Sequence, residues 1–320
     1  MGWSQAAEDE ESLKNYIAID IGGTAIKYGL ISSDGKVLER KSTPTGAELG
    51  GEHIRGKAME IVETYLADAG FTPSSGKTDP PFAGICVSST GMVDTLKGEI
   101  FYSGETVPNY TGTKFKPVFE KAFGIPFEME NDVNCAGLAE YTSGAGAGSS
   151  SMLCLTVGTG IGGCAIIDGK VLHGATGSAC EVGYMHMGDS DFQMLGSTGY
   201  MCQKVARRKG SAQGHWDGIR VFREADAGDE ICREAIDEMC SVLGLGIANI
   251  CYVLNPELVV LGGGIMAREA YLYPRIRAAI DRNLKPVIAR HTVLKMAKYG
   301  NEAGMLGAYY RFRQIHGELY

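Results

Sequence analysis

The chain has 320 residues and a mass of 34.1 kDa, with 30 basic against 38 acidic side chains and a formal charge of −8. That length suits two domains, each able to bury a core of its own. A hydrophobic content of 44% with 21% charged residues is wrong for a disordered chain, and the acidic balance argues against a nucleic-acid binder, which needs a basic face.

The first 14 residues are polar and acidic and read as a disordered tail, with neither the basic nor the apolar region of a signal peptide. From Tyr16, YIAID and IKYGLIS read as two strands leading to a third, with Ser33-Asp34-Gly35 as a hairpin turn. Ile54, Ala58, Ile61, Val62 and Tyr65 have helical spacing over 51–69, and Gly70 is the stop. Residues 72–81 form a loop, 82–90 a buried strand, 115–124 a short helix and 125–132 a strand. A helix begins over 134–141, then strands follow at SMLCLTVGTG and GGCAII, with Asp168-Gly169 turning a hairpin. Residues 229–254 are a long apolar helix, ELVVLGGGI a strand, and 303–313 the last helix.

The segments 16–30 and 152–166 begin alike, each with an apolar strand, a Gly/Thr turn and a return strand. This duplication predicts two similar α/β lobes with a cleft between them. The boundaries are 15–125, completed by 304–320, for the first lobe and 126–303 for the second. The uncharged stretch 141–167 is too rich in Gly, Ser and Thr to span a bilayer. Nine cysteines, with no CxxC and mostly in apolar runs, read as reduced core thiols of a cytoplasmic protein.

The 45 glycines are about twice the usual ~7% share. Three glycine turns follow apolar strands: Asp20-Ile21-Gly22-Gly23-Thr24, Gly158-Thr159-Gly160-Ile161-Gly162-Gly163 and Gly262-Gly263-Gly264. Without a Cβ, main-chain N–H groups there approach phosphate oxygens closely. Gly158, Gly160 and Gly163 satisfy G-x-G-x-x-G, but a strand follows instead of a helix, so a dinucleotide site is rejected. A Walker A loop is absent. Asp132, between Asn131 and Asn134 at a strand end, suits a base that takes a proton from an alcohol attacking phosphorus; the competing reading is an N-cap. Asp20 suits Mg²⁺ or its waters.

AIDIGGTAIKYGLI, ENDVNCAGLAE, LTVGTGIGG and VLGGGI, in this order and spacing, resemble the ROK family of sugar kinases and sugar-responsive repressors over residues 16–310. The resemblance implies an actin-like, hexokinase-like two-domain α/β fold, and MgATP-dependent phosphorylation of a hexose 6-hydroxyl by a homodimer. It assigns Asp20, Gly22, Gly23, Thr24 and Lys27 to the first phosphate motif. It places Gly158, Thr159, Gly160 and Gly162 in the second, and Gly262, Gly263 and Gly264 near the adenosine. Asn131 and Asp132 match the sugar-binding Asn and the catalytic Asp, and Glu181 a sugar-binding Glu; Gly91 and Asn109 join them.

The departures are specific. Tyr184 stands where the family has histidine, Gln193 where it has a second glutamate, and its zinc-binding cysteine cluster is missing. No structural zinc is therefore expected; packing around Met185, Phe192 and Met194 would hold that loop, and His186 is an ordinary histidine. The segment 87–115 with EVGYM resembles the zinc-lacking N-acetylmannosamine kinases, and shares features with β-glucoside kinases; glucose stays open as well. A repressor of this family has a DNA-binding domain before the first motif, where only 15 residues precede Tyr16, so a non-catalytic sugar sensor is the alternative from another class.

Overall fold

A computed structural model describes residues 14–73, 79–104 and 107–317. The tail and the middle of the 72–81 loop lie outside the described residues. The chain divides into two units, one running to Asp132 and resuming at Ala308, the other covering Val133–Gly307.

The first unit holds β1 (Asn15–Ile21), β2 (Ala25–Ile31), β3 (Lys41–Pro44), α1 (Gly51–Asp68), β4 (Phe82–Ser89), β5 (Met92–Asp94), β6 (Glu99–Tyr102), α2 (Lys116–Phe123) and β7 (Phe127–Asn131). Its sheet runs in the order β3-β2-β1-β4-β7. β2 is antiparallel to both β1 and β3, while β4 runs parallel to β1 and to β7. Alternation decides the two faces. Ile17, Ile19, Ile21, Ile85, Val87 and Phe127 pack with the predicted apolar stripe of α1 and with Phe119 of α2. On the opposite face Tyr16 meets Tyr309 and Phe312 of the C-terminal helix edge-on, with ring centroids 5.0 and 5.4 Å away. Gly84 lies under the Phe312 ring, where a Cβ would overlap it. β5 and β6 form a separate hairpin that periodicity did not predict, because the strands have only three and four residues.

α3 (Asp132–Ser143) starts on the boundary residue. The second unit continues with β8 (Ser151–Val157), β9 (Ile161–Ile167), β10 (Lys170–Val171), β11 (His186–Met187), β12 (Ser190–Asp191), α4 (Phe192–Gly196), α5 (Thr198–Arg208) and α6 (Gly218–Asp226). Then come α7 (Glu230–Leu254), β13 (Leu258–Gly262), α8 (Glu269–Asn283), α9 (Pro286–Ala289), β14 (Val293–Met296) and α10 (Ala303–Ile315). The sheet order β10-β9-β8-β13-β14 repeats that of the first unit, with the same strand directions. The likeness of the two strand–turn–strand segments thus extends to whole sheets. Asp168 and Gly169 both have positive φ, 50° and 76°, as a type I′ hairpin requires. α7 has the length and composition of a bilayer span, but Leu243, Ile247 and Cys251 are fully buried in the unit's core.

Glu140 ties α3 to the loop after β14. It is buried; Oε1 accepts from the N–H groups of Lys298 and Tyr299 at 2.7 and 2.8 Å, and Oε2 from that of Ala145 at 2.8 Å. A hydrogen bond to a charged acceptor is worth ~1.5–3 kcal/mol, and these three are part-buried. Glu140→Ala is expected to destabilise the protein by at least ~3 kcal/mol. A denaturant melt with a wild-type midpoint would show that the clip is unimportant.

Candidate active site

In the first unit, strand register gathers polar residues beside the first glycine turn. Lys27, Asp20 and Ser88 face one another across β2, β1 and β4. Asp20 is 9% exposed; the Ser88 hydroxyl donates to its Oδ1 at 2.7 Å, and Lys27 Nζ stands 3.6 Å from Oδ2. Burial raises the Asp20 pKa above the ordinary carboxyl value, while the Ser88 hydrogen bond and the Lys27 charge oppose the shift. The glycine turn beyond β1 is closed by Gly22 N–H donating to the Ala25 carbonyl, and braced by the Thr45 hydroxyl donating to the Gly22 carbonyl at 2.6 Å. Gly23 and Thr24 form its exposed tip, and a Cβ on Gly23 would meet nothing within 4 Å.

The Asn131–Asp132 pair lies where β7 passes into α3. Asn131 Nδ2 donates to the Gly91 carbonyl and to Asp132 Oδ1, both at 3.0 Å. Gly91 sits at φ +91°, a left-handed conformation in which the Cβ of any other residue would clash with its own backbone. Next to the exposed Asn109, Tyr110 is fully buried with its hydroxyl 2.7 Å from Ser89 Oγ. Burial pushes the Tyr110 phenol pKa up, and the Asp132 charge adds to this. Gly91, Tyr110, Asn131 and Asp132 therefore gather at one end of this unit.

In the second unit Glu181 follows Cys180, a non-glycine residue at φ +66°. The segment lies against β9 by backbone contact: a Cβ on Gly163 would stand 2.7 Å from the Cys180 carbonyl, and one on Gly183 would collide with the Ile161 carbonyl. This explains the glycine two residues after Glu181. Glu181 is half-buried, and burial raises its carboxyl pKa. Gln193 Oε1 lies over both Gly160 and Gly183, so it joins the second glycine turn to the Glu181 segment. Tyr184 is 55% exposed, and His186 is exposed on β11.

Packing around residues 185–200 corrects one expectation. Phe192 is fully buried and Met185 packs against the same core, but Met194 is 47% exposed. Asp191 caps α4 by accepting from Met194 N–H at 2.8 Å, and that turn points Met194 outward. Phe192 lies against Gly196 and Gly246, each leaving room for its ring. Among the described residues, no group of three or more His, Cys, Asp or Glu gathers to hold a metal ion.

A cavity of about 1010 Å³ lies within the second unit, bordered by Gly158, Thr159 and Gly264. That is the size of a site for a large organic ligand. Gly160 and Gly162 face elsewhere, toward Gln193 and Val133. Gly262 ends β13, and Gly263, at φ +113°, packs on the Val157 carbonyl. The remaining walls went unread in the sequence. Trp216, Ile219, Phe222 and Ile265 supply apolar surface, and α5 and α6 both begin at the cavity edge. Helix N-termini favour phosphate through unpaired N–H groups and the helix dipole. Thr198 Oγ1, on this wall, is buried without a hydrogen-bond partner in the structure. The only local signals were the caps: Ser197 accepts from Tyr200 N–H at 3.2 Å and Asp217 from Arg220 N–H at 2.7 Å.

Two copies of one five-stranded sheet, with glycine turns leaving their central strands, make this an actin-like, hexokinase-like α/β protein. Residues 16–315 match the ROK family, and the chain belongs to it. It is 45% identical over 299 residues to the uncharacterized protein CPE0188 of Clostridium perfringens, covering 93% of this chain and 98% of that one. It is 30% identical over 305 residues to a β-glucoside kinase of Listeria monocytogenes, covering 93% and 97%. A Listeria monocytogenes protein proposed to be an N-acetylmannosamine kinase superposes with a TM-score of 0.80 at 28% identity, covering 94% of this chain and 99% of that one.

Two outcomes follow from this geometry. Phe192→Ala is expected to cost ~3–5 kcal/mol in a denaturant melt, because its ring fills space left by two glycines. A raised carboxyl pKa means that the folded state holds its proton more tightly than the unfolded one. The Asp20 contribution to stability is therefore greatest below the unfolded pKa and falls as pH rises toward the folded pKa. Asp20→Asn is expected to keep or raise the melting temperature at pH 7; a lower one would show that the ionised carboxylate is needed for folding.

Proposed function

We propose that the protein is an ATP-dependent sugar kinase that phosphorylates the 6-hydroxyl of a hexose, with N-acetylmannosamine as the acceptor. The observation that carries the reading is the Asn131–Asp132 pair, a carboxylate oriented by a neighbouring amide at a strand-to-helix junction. Asp132 accepts the proton of the 6-hydroxyl as that oxygen attacks the γ-phosphorus. On the family resemblance, Gly91, Asn109, Asn131, Glu181, Tyr184 and Gln193 are assigned to the sugar. Gln193, an amide against Gly160 and Gly183, would offer that site a neutral donor and acceptor.

The second unit's cavity is assigned to ATP, with its apolar walls around the base and Gly158, Thr159 and the starts of α5 and α6 near phosphate. Gly22, Gly23, Thr24 and Lys27 are the phosphate-binding turn of the first unit. Asp20 fits Mg²⁺ as one buried carboxylate, since that ion is usually held by one or two carboxylates with water and phosphate oxygens. Bound there, Mg²⁺ would neutralise charge on the phosphates. Cytoplasmic placement is part of this proposal, a compartment in which buried cysteines such as Cys154 and Cys240 stay reduced. A homodimer is proposed on the family resemblance.

N-acetylmannosamine is supported by the 87–115 segment and by the Listeria structure. A β-glucoside is the second reading, favoured by the 30% identical kinase and by Tyr184, a feature of those enzymes. ADP release with MgATP and N-acetylmannosamine, N-acetylglucosamine, glucose, mannose or cellobiose separates them. Turnover restricted to N-acetylmannosamine is expected; turnover on cellobiose selects the second reading. Silence with ATP bound selects the sensor. Asp132→Asn is expected to lose ~10²–10⁴-fold in kcat while still binding sugar. Trp216 is one of two tryptophans, so in a Trp3→Phe background its emission should respond to MgATP; no response despite turnover would move the nucleotide out of this cavity.

A further inference from the structure

The row Lys27–Asp20–Ser88 extends one strand further, because Ser88 on β4 pairs in register with Glu130 on β7. Glu130 is a carboxylate only 1% exposed, one residue before the Asn131–Asp132 pair. Its Oε1 accepts from the Asn131 backbone N–H at 2.9 Å. Its Oε2 stands 3.4 Å from Nε of Arg311, on the C-terminal helix α10, and the Arg311 side chain is 16% exposed. A buried carboxylate is costly without a cation and hydrogen-bond donors, and this one has both. β7 is the edge strand of its sheet, so at its end the backbone lacks a partner strand on one side. Glu130 supplies a fixed acceptor at the residue where the chain turns from β7 into α3.

We infer that Glu130, held by Arg311, is the positioning residue for the Asn131–Asp132 turn. The inference rests on the reading of Asp132 as the base. Glu130 fixes the Asn131 backbone, and the Asn131 amide bridges the Gly91 carbonyl and Asp132 Oδ1. The last helix of the chain therefore acts on the Asp132 carboxylate through two intervening side chains. No contact of Glu130 with sugar or ATP is required.

The test compares Glu130→Ala, Arg311→Ala, Arg311→Lys and Asp132→Asn with the unaltered enzyme, using kcat, both KM values and the melting temperature. Glu130→Ala and Arg311→Ala are expected to lower kcat about tenfold or more, since small misplacements of a reacting group have effects of this order. KM for ATP should stay within about twofold of the unaltered value, and Arg311→Lys should recover most of kcat. A merely structural ion pair would lower the melting temperature and leave kcat of the folded enzyme intact; that result overturns the inference. Should the single alanine variants fail to fold, Glu130→Met with Arg311→Leu fills the space without a buried charge. It is expected to fold with kcat still lowered about tenfold, and unaltered kcat there overturns the inference. Near-normal turnover in Asp132→Asn overturns the base reading and this inference together. Loss of turnover in Asp132→Asn with unaltered kcat in Glu130→Ala overturns this inference alone.

Discussion

A carboxylate at the end of a buried strand is unfavourable unless its sheet neighbours offer hydrogen bonds and charge, and the first unit is organised by that constraint. Asp20 and Glu130 occupy equivalent levels on β1 and β7, with Ser88 between them in register. Ser88 and Lys27 serve Asp20, while Arg311 and the Asn131 N–H serve Glu130. Strand alternation puts this row on the face opposite the Ile-rich core, the face that the C-terminal helix covers through Tyr309 and Phe312. The same helix thus supplies both apolar cover and a cation. Charged side chains can be buried here because each has a partner fixed by strand register or by the C-terminal helix.

The second unit uses the same sheet for a different task. Its central strand β8 also leads into a glycine turn, but the long segment between β10 and α7 adds α4, α5 and α6 beside that turn. Close backbone approach holds the added helices in place. The Gly199 N–H donates to the Gly158 carbonyl at 3.3 Å, and a Cβ on Gly199 would stand 2.8 Å from the Thr159 carbonyl. The cavity arises from this insertion, which has no counterpart among the described residues of the first unit. The two sheets therefore share an architecture without sharing a site.

Elements with strong periodicity or clear punctuation were legible before folding. α1 shows its apolar stripe and stops near Gly70, at φ +66°; the Asp168-Gly169 turn forms the predicted hairpin. Weak periodicity hid β5, β6 and β14, which are three or four residues long. The helices over 192–226 were hidden because their burial depends on distant partners such as Gly246 for Phe192. Met194 shows the limit of composition: its side chain is apolar, but the cap at Asp191 turns it to solvent.

Motif residues such as Asp20, Asn131, Asp132 and Glu181 were legible as candidates because glycine turns, amides and acids next to apolar strands are local patterns. Their partners were not. Nothing near Glu130 in the chain points to Arg311, 181 residues later, and nothing near Gly158 points to Trp216. The sequence by itself determined the family, the duplicated strand pattern and the chemical types in the glycine turns, since these depend on neighbours a few residues apart. The tertiary structure alone decided which carboxylates are paired, which glycines border the cavity and which side chains hold the turns. Those outcomes depend on strand register and helix packing, which join residues far apart in the chain.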